Sequence, residues 1–245
     1  MTTTASRRNR EAPAWTRRAR PALGTLVEVG VAARAAGAGT AADAAIAIAF
    51  ARIAAAEAQL SRFDPASPIH RFNAAVPGTR IAMGSDVARV LAAARALYEV
   101  SAGAFDVTLG SGAAGWRCEN STLVKTAAGT TLDLGGIGKG HAVDCAVAAL
   151  RAAGIEAGWV NAGGDLRVFG DVTLPLHLRN EEHGGALPFA GLRDGAFATS
   201  RLPAGHASVA AEECLWADAL TKLVVVSGNA RHPLLERFGA VAWLH

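Results

Sequence analysis

Apolar and polar positions fall into a few clear periods along the chain. Leu26-Val27-Glu28-Val29-Gly30-Val31 alternates as a strand does, and Ala41 to Leu60 carries Ile46, Phe50, Ile53 and Leu60 at helical spacing in an Ala-rich run. Ser61 to Asn73 reads as a loop, punctuated by Asp64-Pro65 and Ser67-Pro68. A second helix is predicted over Ser85 to Val100, where Val87, Val90, Leu91, Ala94 and Leu97 share one face. From Ala102 the pattern breaks into loop and short strand, until Thr131-Leu132-Asp133-Leu134 enters a glycine-rich turn. A third helix follows from Gly140 to Ala153, with Gly154 as its C-terminal cap. Trp159-Val160-Asn161 and Leu166-Arg167-Val168-Phe169 read as strands on either side of Gly163-Gly164-Asp165, and a last helix is expected over Trp216 to Gly228. No period marks repeats and no linker divides the chain. Hairpin-like strands with separate helices, lacking strict β–α–β alternation, predict an α+β fold with mixed or antiparallel sheets. The expected organisation is a disordered basic tail over 1–17 and one domain over 18–245.

Composition changes this picture little. The chain has 245 residues, half of them hydrophobic, and no uninterrupted apolar run near the roughly 18 residues of a membrane span. A soluble protein with no membrane insertion is expected. The net charge of +3 is slight, and Arg7, Arg8, Arg10, Arg17, Arg18 and Arg20 form a basic cluster within the first twenty positions, read as solvated and not as a nucleic-acid arm. Its arginine pairs are followed by Glu11-Ala12-Pro13 and a β-like segment where an export signal needs an apolar region. Cys118, Cys145 and Cys214 are odd in number and in no CxxC spacing, so reduced thiols and a cytoplasmic location are expected.

The chemistry concentrates in Leu132-Asp133-Leu134-Gly135-Gly136-Ile137-Gly138-Lys139-Gly140-His141-Ala142-Val143-Asp144. Glycines let a ligand approach the backbone, the following helix start offers free N–H groups to an anion, and Lys139 adds a cation. The run is neither a Rossmann fingerprint nor a P-loop. It reads as a phosphate cradle or, equally, as a tight strand-to-helix turn with a solvated lysine. Asp133 and Asp144 flank it, as ligand-binding acids or as caps and surface charges. Asn161 to Asp165 reads by itself as a hairpin turn. In Ala217-Asp218-Ala219-Leu220-Thr221-Lys222, Asp218 and Thr221 share a helix face with Lys222 one turn on. Hard oxygens so placed suit Mg²⁺ shared with a phosphate, and the plain alternative is an acid at a helix N-terminus.

Taken in order, seven segments resemble the ApbE family, the FAD:protein FMN transferases. They are Arg20 to Thr25, Leu60 to Asp64 with Ser67 and Asn73, Ser101 to Asp106, Leu132 to Asp144, Asn161 to Asp165, Ala198 to Ser200, and Ala217 to Lys222. The resemblance implies an α+β fold that binds FAD in an extended pocket with Mg²⁺ at its pyrophosphate. It implies transfer of FMN to a threonine or serine of a flavoprotein, with release of AMP. Carried over by position, Leu23, Phe63, Ala104, Phe105, Asp106, Asp133 and Lys139 fall where the family contacts FAD. Phe63 is expected to stack on a ring and Lys139 to face the phosphates. Gly136, Asp218 and Thr221 fall where it holds the metal.

Two departures stand out. Gly136 offers no side-chain oxygen, and Lys222 stands where many members have threonine, with an ammonium that cannot ligate a metal but could substitute part of its charge. After Thr199-Ser200, the family's hairpin with a His-x-Ile-Asp-Pro segment is missing, and Arg201 to Val209 leads almost directly to the next element. His206 sits just after the gap, His70 in the predicted loop and His141 on the expected exposed start of the third helix. None is assigned as general base. The missing segment and Lys222 keep open a non-catalytic FAD-binding protein, and a metal site open to water keeps open an Mg²⁺-dependent FAD hydrolase.

Overall fold

The computed structural model describes residues 14–33, 38–179, 183–201 and 205–245. In chain order these form β1 (Ala14–Ala22), β2 (Thr25–Ala33), α1 (Ala38–Leu60), α2 (Pro68–Ala74), β3 (Arg80–Ala82), α3 (Ser85–Val100), β4 (Trp116–Glu119), β5 (Thr122–Lys125) and α4 (Gly138–Ala152). The second half adds β6 (Gly158–Ala162), β7 (Asp165–Phe169), β8 (Leu174–Arg179), β9 (Ala186–Leu192), β10 (Gly195–Arg201), β11 (His206–Ala211), α5 (Cys214–Ser227), α6 (Leu234–Arg237) and β12 (Val241–Leu244).

The main sheet runs β1-β2-β6-β7-β10-β11-β12 with every neighbouring pair antiparallel. Two small antiparallel sheets, β3-β5-β4 and β8-β9, complete an α+β fold. Strand alternation gives the main sheet two faces. Val27, Val29, Val31, Val160, Ala198 and Val209 are fully buried on the face covered by α1, α4 and α5, against Ile46, Ile53, Val143, Val147, Leu220 and Val224. Trp159, Leu166, Val168 and Phe197 point the other way into a smaller core with Leu176 and Phe189 of the β8–β9 hairpin. Each large apolar side chain so buried contributes roughly 1.5–3 kcal/mol by removal from water.

Most elements lie where the periodicity puts them, and the differences have local causes. The predicted loop over Ser61 to Asn73 contains α2, because Ser67-Pro68 is a helix start: the Ser67 hydroxyl accepts the N–H of His70 at 2.9 Å and Pro68 takes the first helical position, where its missing N–H costs nothing. The basic tail falls mostly outside the described residues, but residues 14–17 already belong to β1, whose Trp15 packs edge-on against Trp159. By length and composition Gly39–Leu60 would suit a membrane span, at mean hydropathy 1.4. In this fold it is a core helix: one face packs on α4 and the sheet, while Arg52 and Glu57 are tied to α3 and the β1–β2 turn.

Candidate functional site

The site is built around two turns. Leu23 and Gly24 join β1 to β2 with φ of 55° and 71°, the primed hairpin turn that suits the twist of the paired strands. Leu23 has a Cβ, so its left-handed backbone costs about 1–2 kcal/mol, partly offset by its N–H donating to Glu57 Oε1 at 3.0 Å. After α1, the Ser61 hydroxyl accepts the N–H groups of Phe63 and Asp64, holding the Phe63 ring out in solvent at 76% exposure. The Arg62 guanidinium lies 4.7 Å from that ring and 3.2 Å from Asp133 Oδ2, while Asp133 Oδ1 accepts the Gly135 N–H at 2.8 Å.

These groups enclose a cleft of about 360 Å³ bounded by Leu23, Glu57, Arg62, Phe63, Asp133 and Lys139. Past Arg62, Phe63 and Asp133 a second depression of about 270 Å³ continues toward Asn73, Thr108 and Leu109. Asn73 fixes the strand entering the glycine turn by pairing with both the N–H and the C=O of Leu132, at 2.7 and 2.9 Å. Ala104, Phe105 and Asp106 line neither depression. The Asp106 carboxylate folds its own loop, accepting from Thr108 N, Thr108 Oγ1 and Gly110 N, and the Phe105 ring packs beside Gly136.

The inner end of the groove is charged. Lys139 lines the cleft but pairs with Asp165, a buried carboxylate delivered by β7. Burial together with the nearby Asp218 charge pushes the Asp165 carboxyl up to about 6, against the opposing effect of Lys139. Burial works against the Lys139 ammonium too, but Asp218 and Asp165 outweigh it and hold its proton more tightly than usual. Asp218 is fully buried, and its Oδ2 accepts the Gly140 N–H at 3.1 Å. Lys222 Nζ donates to Ser200 Oγ at 2.7 Å, Asp218 Oδ1 at 2.8 Å and Thr221 Oγ1 at 2.9 Å, with the Asp218 carbonyl at 3.3 Å. Thr221 Oγ1 donates to that same carbonyl and lies 2.7 Å from Ser200 Oγ.

Two devices bring α5 to this place. Asp144, on α4, accepts the N–H groups of Cys214 and Leu215 at 2.9 and 2.8 Å, capping α5 from another helix, and is itself paired with Arg167. Gly140 has no side chain where α5 crosses: a Cβ there would lie 2.2 Å from the Cys214 carbonyl oxygen. Asp144 and Gly140 therefore serve helix packing rather than a ligand.

Gly136, Asp218 and Thr221 do converge, but around an ammonium. A Cβ on Gly136 would stand 3.3 Å from Lys222 Cγ, so this lysine passes directly beside the turn. Mg²⁺ needs several oxygens at about 2.0–2.1 Å, and the side-chain oxygens here already coordinate Nζ. The donor set as folded does not fit a divalent ion.

The histidines lie elsewhere. Contrary to expectation His141 is buried, its Nε2 3.0 Å from Asp86 Oδ1 and 3.3 Å from Cys145 Sγ. This trio has metal-ligand chemistry, yet Arg52 donates to both Asp86 oxygens at 2.7 and 2.9 Å and approaches Cys145 Sγ at 3.4 Å, which supplies the positive charge and ties α1 to α3 and α4. Although burial opposes it, the bonds from Arg52 and His141 hold the Asp86 carboxyl below its usual value, while burial and Asp86 push the Cys145 thiol up to about 12. His70 lies in the first turn of α2 and its Nδ1 meets the Arg62 carbonyl. His206 pairs in register with Arg201, one step from Ser200, so the strand pleat turns it to the opposite face of the sheet, where its ring stacks on His245.

Sequence reasoning passed over three groups at the site. Ser200 lay in a matching segment, but nothing local to a strand shows that its hydroxyl meets α5. Glu57 and Arg62 each gave one usable signal, a charge near the end of an apolar helix and a charge beside an aromatic in the segment after it.

A family model described as the ApbE family matches residues 23–201. No curated protein sequence matches. Among solved structures, the chain resembles the flavin transferase ApbE from Vibrio cholerae, with TM-score 0.80, 20% identity, and 95% of this chain and 93% of that one covered. It also resembles the apo form of a flavinyl transferase ApbE from Pseudomonas stutzeri, with TM-score 0.77, 22% identity and coverage of 96% and 93%. The ApbE protein from Thermotoga maritima gives TM-score 0.79, 21% identity and coverage of 94% of each chain.

Proposed function

The chain belongs to the ApbE family, and from that premise we propose that it is a flavin transferase drawing FMN from FAD and placing it on a threonine or serine of a flavoprotein, with release of AMP. The observation that supports this reading is the joining of an aromatic-walled groove to a buried charged end. Phe63 and Arg62 offer a stacking surface for a ring, and the cleft between them and Leu23 leads to Lys139. Beyond it lie Asp165, Asp218 and Lys222.

In the proposed reaction the acceptor hydroxyl oxygen forms a bond to the phosphorus of the FMN half, the bridging P–O bond to the AMP half breaks, and AMP leaves with the bridging oxygen while the hydroxyl proton is released. Charge developing on the phosphoryl oxygens is met by Lys139, Lys222 and the positive end of the α4 dipole, which points at the turn. Mg²⁺ has no seat in this scheme, because the oxygens that would hold it already surround Lys222 Nζ. One observation favours a second reading, an FAD-binding protein without turnover: β10 ends at Arg201 and its partner β11 begins at His206, so only four residues of chain join the two strands.

The test is incubation of the purified chain with FAD and a flavoprotein bearing the acceptor threonine. Covalent flavin on the acceptor with an equal amount of AMP is expected. FAD binding with neither product would select the second reading, and FMN plus AMP without an acceptor would indicate hydrolysis.

A further inference from the structure

On the flavin-nucleotide reading above, we infer that Lys222 has taken both the seat and the charge of a divalent cation, so that this protein grips the diphosphate of FAD without a metal. The ammonium is placed as an ion would be. Three side-chain oxygens and one carbonyl, from Ser200, Asp218 and Thr221, surround Nζ at 2.7–3.3 Å. Two of those residues share a helical turn with the lysine itself, so the arrangement is built into α5 and does not depend on a surface side chain finding its way there.

Charge bookkeeping supports the exchange. Asp165 and Asp218 are buried carboxylates, and a buried carboxylate without a counter-ion is very costly. Lys139 pairs with Asp165 and Lys222 with Asp218, which balances the pocket with no added ion. A divalent ion placed against Asp218 with Lys222 still present would face a like charge at contact distance with no free oxygen on that side. The ammonium also retains a route to a ligand. A third of the Lys222 side chain is exposed while Asp218 is wholly covered, so the free surface of the pair is its positive end. The 3.3 Å contact to the Asp218 carbonyl is the weakest of the four and the one a phosphate oxygen would replace.

The experiment has two arms, both on the full chain. In the first, FAD is titrated calorimetrically in excess EDTA and again in MgCl₂. Dissociation constants equal within about twofold are expected, and a gain of about tenfold or more with Mg²⁺, about 1.4 kcal/mol, would overturn the inference. The second arm uses Mn²⁺ alone, read by electron paramagnetic resonance with no flavin present. The wild-type chain should show no Mn²⁺ site that Asp218→Asn abolishes, whereas Lys222→Thr, which puts a hydroxyl at this position in place of the ammonium, should gain one and should bind FAD at least tenfold more tightly with Mg²⁺ than without. A wild-type Mn²⁺ site at Asp218, or a folded Lys222→Thr variant indifferent to both ions, would refute the exchange. If Lys222→Thr does not fold, the wild-type arms still decide. Absence of FAD association in either buffer would sink the flavin reading and the role of Lys222 toward a diphosphate, and the Mn²⁺ arm would still judge whether the lysine holds the ion's seat.

Discussion

Replacing Gly140 by alanine tests the contact that delivers Asp218 to the groove. The new Cβ would lie 2.2 Å from the Cys214 carbonyl oxygen, 2.6 Å from its carbon and 2.9 Å from Asp218 Cβ. The obstacle is mostly backbone, which cannot rotate aside as a side chain can, so α4 and α5 must separate by roughly 1 Å to restore ordinary contact distances. Overpacking a tight interior costs about 1–3 kcal/mol, and an unyielding wall puts this case at the upper end. Alanine returns about 1 kcal/mol of helix propensity over glycine. The net expectation is a loss of about 2 kcal/mol, which in a chain of this size lowers Tm by roughly 4–8 °C. The same movement stretches the Gly140 N–H bond to Asp218, so FAD affinity should also fall. Gly39→Ala is the control, since nothing lies within 4 Å of a Cβ there; it should leave Tm unchanged or raise it slightly. Thermal unfolding followed by circular dichroism, with an FAD fluorescence titration at 20 °C, gives both readings. A Gly140→Ala protein melting at or above the wild-type temperature would show that α4 and α5 do not meet as described.

Other substitutions separate stability from binding. Phe63→Ala should leave the melting temperature unchanged, because the ring is exposed, and weaken FAD binding by about tenfold if the ring stacks on a base or flavin; an unchanged calorimetric affinity would remove Phe63 from the site. Asp144→Ala leaves the largely covered Arg167 without its partner and strips two N–H groups at the start of α5 of their acceptor, so urea unfolding should show a loss of about 3 kcal/mol. The pH dependence of Asp165 has a definite sign. Its folded value, about 6, lies above its ordinary 3.8, so the folded state holds the proton more tightly and this residue's contribution to stability falls as pH rises from about 4 to about 6. Chemical denaturation across that window should show the decline in the wild type and its reduction in Asp165→Asn; parallel curves would count against it.

What was legible in the sequence follows the range of the interactions concerned. The helix over Ser85–Val100 and the strands around Trp159 and Val168 announce themselves because periodicity is local and the face it marks is buried. The glycine run was also visible, but not the division of labour within it. Gly135 turns the chain under Asp133, Gly136 leaves room beside Lys222, and Gly140 admits α5, and only a fold separates these three uses. Asp144 looked like a member of the cradle because it lies close in sequence, and it caps a helix 70 residues away. His141 looked exposed because it stands at a helix start, and it is covered because that start is buried under α3 and α5.

The same contrast explains why a metal site was a sound expectation and an ammonium the outcome. Spacing along a helix reveals which oxygens share a face, so Asp218 and Thr221 were identified together with Lys222 one turn beyond. Whether that lysine swings out to solvent or folds back depends on what else it can reach. Ser200, brought by β10 from the other side, supplies the additional acceptor that makes folding back favourable. Arg52 does the equivalent work among Asp86, His141 and Cys145, where a permanent charge lies between groups that could otherwise hold an ion. In both places a cation covalently part of the chain satisfies the carboxylate. Its binding carries no dependence on metal concentration, and it contributes one positive charge where a divalent ion would bring two. On the inference that Lys222 stands in for the ion, removing the lysine should make the grip on FAD depend on a metal rather than merely weaken it.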